Sequence, residues 1–402
     1  MKKFLPACIG LAALALAVSC QKPQDVPPPQ SEIPEGAVNL SENGTANCYI
    51  VAPNATSAFS AEFKGNSTDL PIGNASDARL VWQSSQNLVK EISYAPQSKM
   101  IVVETSDMQG NALVAATDPE GNILWSWHLW ITDYDPAETD FTTEPNSSGT
   151  TWTFMDRNLG ALNTDKGDFG SFGMLYQWGR KDPFPAPASF TVMNEDYTYA
   201  VDGEPTYYDI DNNPLPKFSE LAEYHGTIDK SIANPDVFYA MTKKSTGEYD
   251  EYGDEIFVDD PITGDWTDVS DDDYWGGESL KKTIYDPCPV GYKVPVCDAG
   301  GNSPYEWLTY DKVVWESNGC DFNGVWFPTT GTRAYASGTL DYPEANPYSG
   351  LWLGTKGAAS SNLEQYPTLY GQYMFIIDGK RMFKVNKDRR SQGLSVRCVK
   401  ED

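Results

Sequence analysis

Residues 123–132 read Ile-Leu-Trp-Ser-Trp-His-Leu-Trp-Ile-Thr, and this run decides the fold of the first third of the chain. Period-two alternation puts Trp125, Trp127, Leu129 and Ile131 on one face, and Leu124, Ser126, His128 and Trp130 on the other. Large apolar residues on both faces predict a strand buried on both sides, with His128 a hydrogen-bonded interior histidine. Six shorter runs of strand character precede it, at 47–51, 58–63, 79–83, 88–94, 99–104 and 112–116. Turn signals such as Gly65-Asn66, Gly73-Asn74, Gly110-Asn111 and Glu120-Gly121-Asn122 fall between them. Residues 38–134 are therefore expected to form a small all-β sandwich of the immunoglobulin-like kind.

Upstream of that unit the chain carries an address. Lys2 and Lys3 precede an apolar run from Phe4 to Val18, too short and too early for a typical membrane span. The run ends in Leu16-Ala17-Val18-Ser19-Cys20, which resembles a bacterial lipobox, so residues 1–19 read as a lipoprotein signal peptide and Cys20 as the lipidated residue. Residues 20–37 then form a Pro-rich spacer, with five prolines between Gln21 and Gly36. With Gln21 after the cysteine, the expected location is the outer membrane, lipid-anchored, at the cell surface.

Downstream, 135–150 is polar and reads as a linker. Residues 151–402 carry apolar, turn-punctuated sequence broken by an irregular acidic insertion at 185–280. Between Glu248 and Asp273 there are twelve acids and no base, which predicts a solvated surface loop. Near its start, the spacing of Phe172, Leu175, Tyr176 and Gly179 predicts one short amphipathic helix.

Composition narrows the function classes. Acids outnumber bases by 57 to 29, a net charge of −28, which excludes nucleic acid as a partner because affinity there rests on cationic neutralisation of phosphates. Two histidines, His128 and His225, cannot build a multi-histidine metal site. Asp209, Asp211, Asn213 and Glu220 match EF-hand ligand positions, but Pro214 stands where the loop needs glycine. No metal site is assigned; Ca2+ in the acidic insertion is the one candidate cofactor. P-loop, HExxH and GxSxG motifs are absent, and no catalytic residue is assigned.

Five late segments carry a resemblance. MDRNLGA at 155–161, GMLYQWGRKDPF at 173–184, YDPCPVGYKVP at 285–295, FPTTGTR at 327–333 and GLSVRCVK at 393–400 are similar to the Fibrobacter succinogenes major paralogous domain. That family is common in Bacteroidetes surface proteins and resembles the C-type-lectin-like and formylglycine-generating-enzyme folds. GTANCYIV at 44–51 and GNILWSWHLWITD at 121–133 resemble the module that accompanies this domain in Bacteroides lipoproteins. The resemblance implies a two-domain chain, with an α+β C-type-lectin-like domain at 151–402 behind the sandwich. It implies a Cys288–Cys398 disulfide, since both residues occupy the family's cysteine motifs; Cys297 and Cys320 are a further possible pair. The lectin calcium motif is not transferable, because Glu144-Pro145-Asn146 lies in the linker and Trp-Asn-Asp does not occur.

The expectation is a non-enzymatic surface lipoprotein whose lectin-like domain binds a glycan or a protein. A minor or tip subunit of a Bacteroides-type fimbria and a surface carbohydrate-active enzyme are the alternatives. Loops between the late motifs supply the expected ligand residues: Arg333, Tyr335, Asp341, Tyr342, Tyr348 and Trp352. Tyrosine and tryptophan offer flat faces with polar edges, and Arg333 and Asp341 can bond hydroxyls or a carboxylate.

Overall fold

The computed structural model describes residues 33–401 apart from 194–198, 202, 225, 242, 250, 252, 254, 260–263, 345–346, 361–367 and 378–380. Cys20 and His225 lie outside the described residues. Strand accounts for 39% of the structure and helix for 5%, so the chain is β-rich throughout.

Eight strands form the first part: β1 (Val38–Asn39), β2 (Cys48–Val51), β3 (Thr56–Ser60), β4 (Asp77–Gln83), β5 (Val89–Ala95), β6 (Met100–Thr105), β7 (Gly110–Thr117) and β8 (Ile123–Ile131). All seven runs read from the sequence are strands, and β1 is added by parallel pairing with β3. They make two four-stranded sheets, β1-β3-β6-β5 and β2-β8-β7-β4. Trp125, Trp127, Leu129 and Ile131 of β8 join Phe59, Ile101 and Val103 of the opposite sheet in one apolar core, as alternation requires.

The other face of β8 is buried too, by the later part of the chain. Cys48, Trp82, Leu113 and Trp130 share a second core with Met155, Tyr176, Trp178, Trp352, Val396 and Cys398. Several polar groups along this seam are paired. Asn47 Nδ2 donates to the carbonyls of Ile284 and Asp286, both at 2.8 Å, and Trp130 Nε1 donates to Ala161 O at 3.1 Å. Such pairing offsets the cost of burying these polar atoms. Residues 135–150 are tied to the later part: the helix α1 (Pro136–Thr139) is followed by β9 (Phe141–Thr142), which pairs with β10 (Thr153–Phe154).

The later part closes on itself. Phe154 of β10 pairs with Val399, and β11 (Met174–Gln177) pairs with Gly393–Ser395 on one side and with β12 (Phe184–Pro185) on the other. Beyond Gly393–Ser395 the same sheet continues through Tyr348–Ser360, Thr368–Ile377 and Arg381–Arg389. The helix expected around Phe172–Gly179 is not there. A 3-10 turn at Phe169–Ser171 leads into β11, all of whose residues are buried. Two flanking strands satisfy the β11 backbone, so sheet pairing overrides a weak local helix pattern. Gly173 makes the entry: its φ is +75°, and a Cβ there would stand 2.6 Å from Leu159 O. Helix in the described chain amounts to α1, Ile228–Ala233 and two 3-10 turns, so the expected α+β character is slight.

The insertion also departs from expectation. Tyr249, Glu251 and Gly253 are exposed, as a solvated loop requires, but Asp265, Trp266 and Thr267 are buried. Tyr207, Phe218, Phe238, Tyr274 and Trp275 all enter the second core, and Trp266 Nε1 donates to Trp178 O at 2.7 Å. Aromatic anchors scattered through polar sequence carry no periodicity, so their burial was not legible beforehand.

Candidate functional site

The expected ligand residues gather around a short hairpin, Thr332–Arg333 paired with Leu340–Asp341. Three of the six are interior and present no surface to a ligand, which corrects the expectation for them. Arg333 is fully buried. Its Nε donates to Pro185 O at 3.0 Å, its Nη1 to Gly338 O at 2.8 Å, and its Nη2 pairs with Glu204 Oε1 at 2.7 Å. Tyr342 is buried and stacks on Phe190 at 4.9 Å. Trp352 is buried, with its indole N–H on Tyr176 O at 2.8 Å. Each of these side chains has an apolar body that the core takes up, and the polar tips of Arg333 and Trp352 find backbone or carboxylate partners.

The other three reach the surface in two pairs. Tyr335 is half-buried, and the guanidinium of Arg389 lies over its ring at 4.2 Å. Tyr348 and Asp341 are half-buried and joined by a 2.5 Å hydrogen bond from the phenol to Asp341 Oδ2. What remains of the expected face is therefore an aromatic-cation pair at the hairpin turn and an aromatic-carboxylate pair at its open end.

Groups with catalytic character sit elsewhere, inside. His128 Nε2 is 2.9 Å from Asn111 Oδ1 and its Nδ1 is 3.3 Å from the Tyr176 hydroxyl, the buried and bonded histidine that the sequence predicts. Burial pushes its pKa down to about 3, so it stays neutral. Ser126 donates to Asp182 Oδ1 at 2.7 Å and also meets Lys181, whose ammonium pairs with Asp182 at 2.6 Å and lies 4.6 Å from the centre of the Trp125 ring. A serine beside a lysine is the outline of a nucleophile with its base. Here all three side chains are within 3% of complete burial, and the cluster pins β8 to residues 181–182. Nothing in the sequence singled it out, because adjacent lysine and aspartate are ordinary surface residues.

A second interior cluster holds the turn at 282–294. Lys282 Nζ donates to the carbonyls of Cys288, Pro289 and Tyr292, while Asp286 accepts from the N–H groups of Cys288 and Val294, both at 2.8 Å. Burial pushes Asp286 up to about 6 against the opposing pull of Lys282 and those two N–H donors.

Cys288 and Cys398 form a disulfide with Cα atoms 6.0 Å apart. The further pair, Cys297 with Cys320, is not bonded. Cys48, Cys297 and Cys320 are buried thiols; Cys297 Sγ bonds Gln372 Oε1 at 3.4 Å, whereas Cys320 sits mid-strand opposite Trp315 and Phe327. Among the described residues no group of three His, Cys, Asp or Glu side chains is placed to hold a metal ion. The Asp209–Asn213 stretch is a tight turn in which Asp209 Oδ1 accepts from Asn213 N at 2.8 Å, and Gln83 Nε2 bonds Asp209 O at 2.8 Å.

The arrangement defines a class, a β-rich chain in which His128, Ser126, Lys181 and Asp182 are interior and whose surface carries aromatic side chains beside charged partners. No protein-family model, no curated protein and no solved structure matches the chain.

Proposed function

We propose that this chain is a lipid-anchored outer-membrane protein, displayed at the cell surface, that binds a glycan or protein ligand without catalysis. The observation that carries the binding half is the Tyr335–Arg389 pair. It places an aromatic ring and a guanidinium together at a turn, a surface suited to hydroxyls, carboxylates or a partner's apolar residue. The non-catalytic half is supported by the interior placement of His128, Lys181, Asp182 and Ser126. The anchor is supported by Cys20 at the end of the signal-like segment and by the spacer behind it. The finer fold belongs to the same reading: an immunoglobulin-like sandwich at 38–134 and a major paralogous, C-type-lectin-like domain at 151–402. Its support is the order of the five motifs together with the Cys288–Cys398 closure.

A second reading, a fimbrial subunit, is favoured by one feature. Among the described residues, Arg381–Arg389 ends its sheet with strand pairing on one side, and Val385 on it is 45% exposed, a shape open to strand addition.

A glycan array and a cell-adhesion assay with the full-length protein test the proposal, with Tyr335→Ala and Arg389→Gln as variants. Loss of binding at an unchanged melting temperature supports it. Unchanged binding in both variants removes the hairpin from the site.

A further inference from the structure

The first pair of sheets carries a cavity of about 360 Å3. That size falls within the range of small-ligand sites. It lies where the chain leaving β3, the loop before β4 and the β5–β6 turn come together, and the backbone bond from Ala61 N to Lys99 O at 2.9 Å ties two of these segments.

The lining combines three chemistries. Tyr94, half-exposed near the end of β5, packs partly on the apolar core and partly lines the cavity, beside Pro71 and Pro96. Asn74 is exposed and offers an amide that both donates and accepts. Glu62 and Lys99 form an ion pair at 2.5 Å, so a carboxylate and an ammonium stand side by side on the wall. Their charges compensate locally, on a chain whose net charge is −28. A cationic ligand finds no unbalanced acid here, and an anionic one finds no unbalanced base. What the lining does match is an uncharged molecule with one apolar face and a rim of hydroxyls: the face lies on an aromatic ring, and the hydroxyls find an acceptor, a donor and an amide.

We propose that this cavity is a saccharide subsite that takes one uncharged pyranose unit, stacked on Tyr94, with hydroxyls bonded by Glu62, Lys99 and Asn74. The inference rests on the reading that the chain binds a glycan, and it adds a place and a sugar class to it.

The test uses the full-length protein on an array of neutral, sialylated and sulfated oligosaccharides, followed by calorimetry with the strongest neutral binder. Tyr94→Leu keeps an apolar side chain on the core and removes the ring; it is expected to weaken binding about tenfold or more. Lys99→Met and Asn74→Ala alter exposed rim residues, and each is expected to weaken binding several-fold. Binding that survives Tyr94→Leu but is lost in Tyr335→Ala overturns the subsite and leaves the hairpin reading standing. Survival in both variants overturns both. Binding confined to acidic glycans, or to none, overturns the subsite alone, because a protein ligand at the hairpin is tested separately by adhesion.

Discussion

Arg333 and Glu204 lie 129 positions apart in the sequence and form a 2.7 Å salt bridge with neither side chain exposed. Glu204 comes from the segment that reads as an insertion, and it also accepts from Phe218 N and the Ser219 hydroxyl, both at 2.9 Å. Removing its charge leaves a guanidinium buried without a counter-ion. Glu204→Gln is therefore expected to cost about 3–5 kcal/mol, measured by urea unfolding. A loss well below that range would mean that solvent reaches the pair and that the insertion is not integral to the core.

The disulfide gives a second prediction. Cys288–Cys398 closes a long loop, and its loss should cost about 2–5 kcal/mol. Non-reducing peptide mapping is expected to return this linkage alone, with Cys48, Cys297 and Cys320 alkylated only after denaturation. A Cys297–Cys320 peptide would contradict the arrangement described above.

His128 makes stability depend on pH. Its folded pKa, about 3, lies below the unfolded value of 6.5, so the unfolded chain binds the proton more readily between those limits. The contribution of a neutral His128 is complete above pH 6.5 and is lost as pH falls toward 3, by up to about 1.4 kcal/mol per pH unit. Asp286 acts in the opposite sense: its raised pKa, about 6, makes acidification favourable for the fold between there and the ordinary value of 3.8. Comparing wild type with His128→Gln isolates the histidine, and the stability gap between them should narrow below pH 6.5. Imidazole NMR should show His128 neutral at pH 5; titration near 6.5 would refute its interior placement.

Gly173 is expected to resist substitution. An alanine there must hold a φ near +75° and press its Cβ on Leu159 O. Gly173→Ala should destabilise by about 1–3 kcal/mol in thermal unfolding, by distorting the entry to β11. An unchanged melting temperature would show that the turn can relax.

The anchor is tested by Cys20→Ser, which should move the protein from the membrane fraction to the soluble one and abolish palmitate labelling. A wild-type protein that takes up no palmitate would end the lipoprotein reading.

By itself the sequence determined what depends on near neighbours. Alternation in 123–132 and the turn residues between the earlier runs located seven strands, because side-chain direction in a strand depends only on parity along the chain. The same alternation, with tryptophans on both faces of one strand, told that His128 is interior. Tertiary structure decided the rest. Whether Tyr176 lies on a helix or a strand turned on β12 and Gly393–Ser395 arriving at its two sides, the latter more than 200 residues away. Arg333, Tyr342 and Trp352 read as ligand groups because arginine and aromatic side chains serve a binding face and a buried pair equally well. Only the arrival of Glu204, Phe190 and the carbonyl of Tyr176 made them interior. The Tyr94 cavity likewise belongs to no local pattern: Glu62, Asn74, Tyr94 and Lys99 come from three separate segments, and sheet packing brings them together.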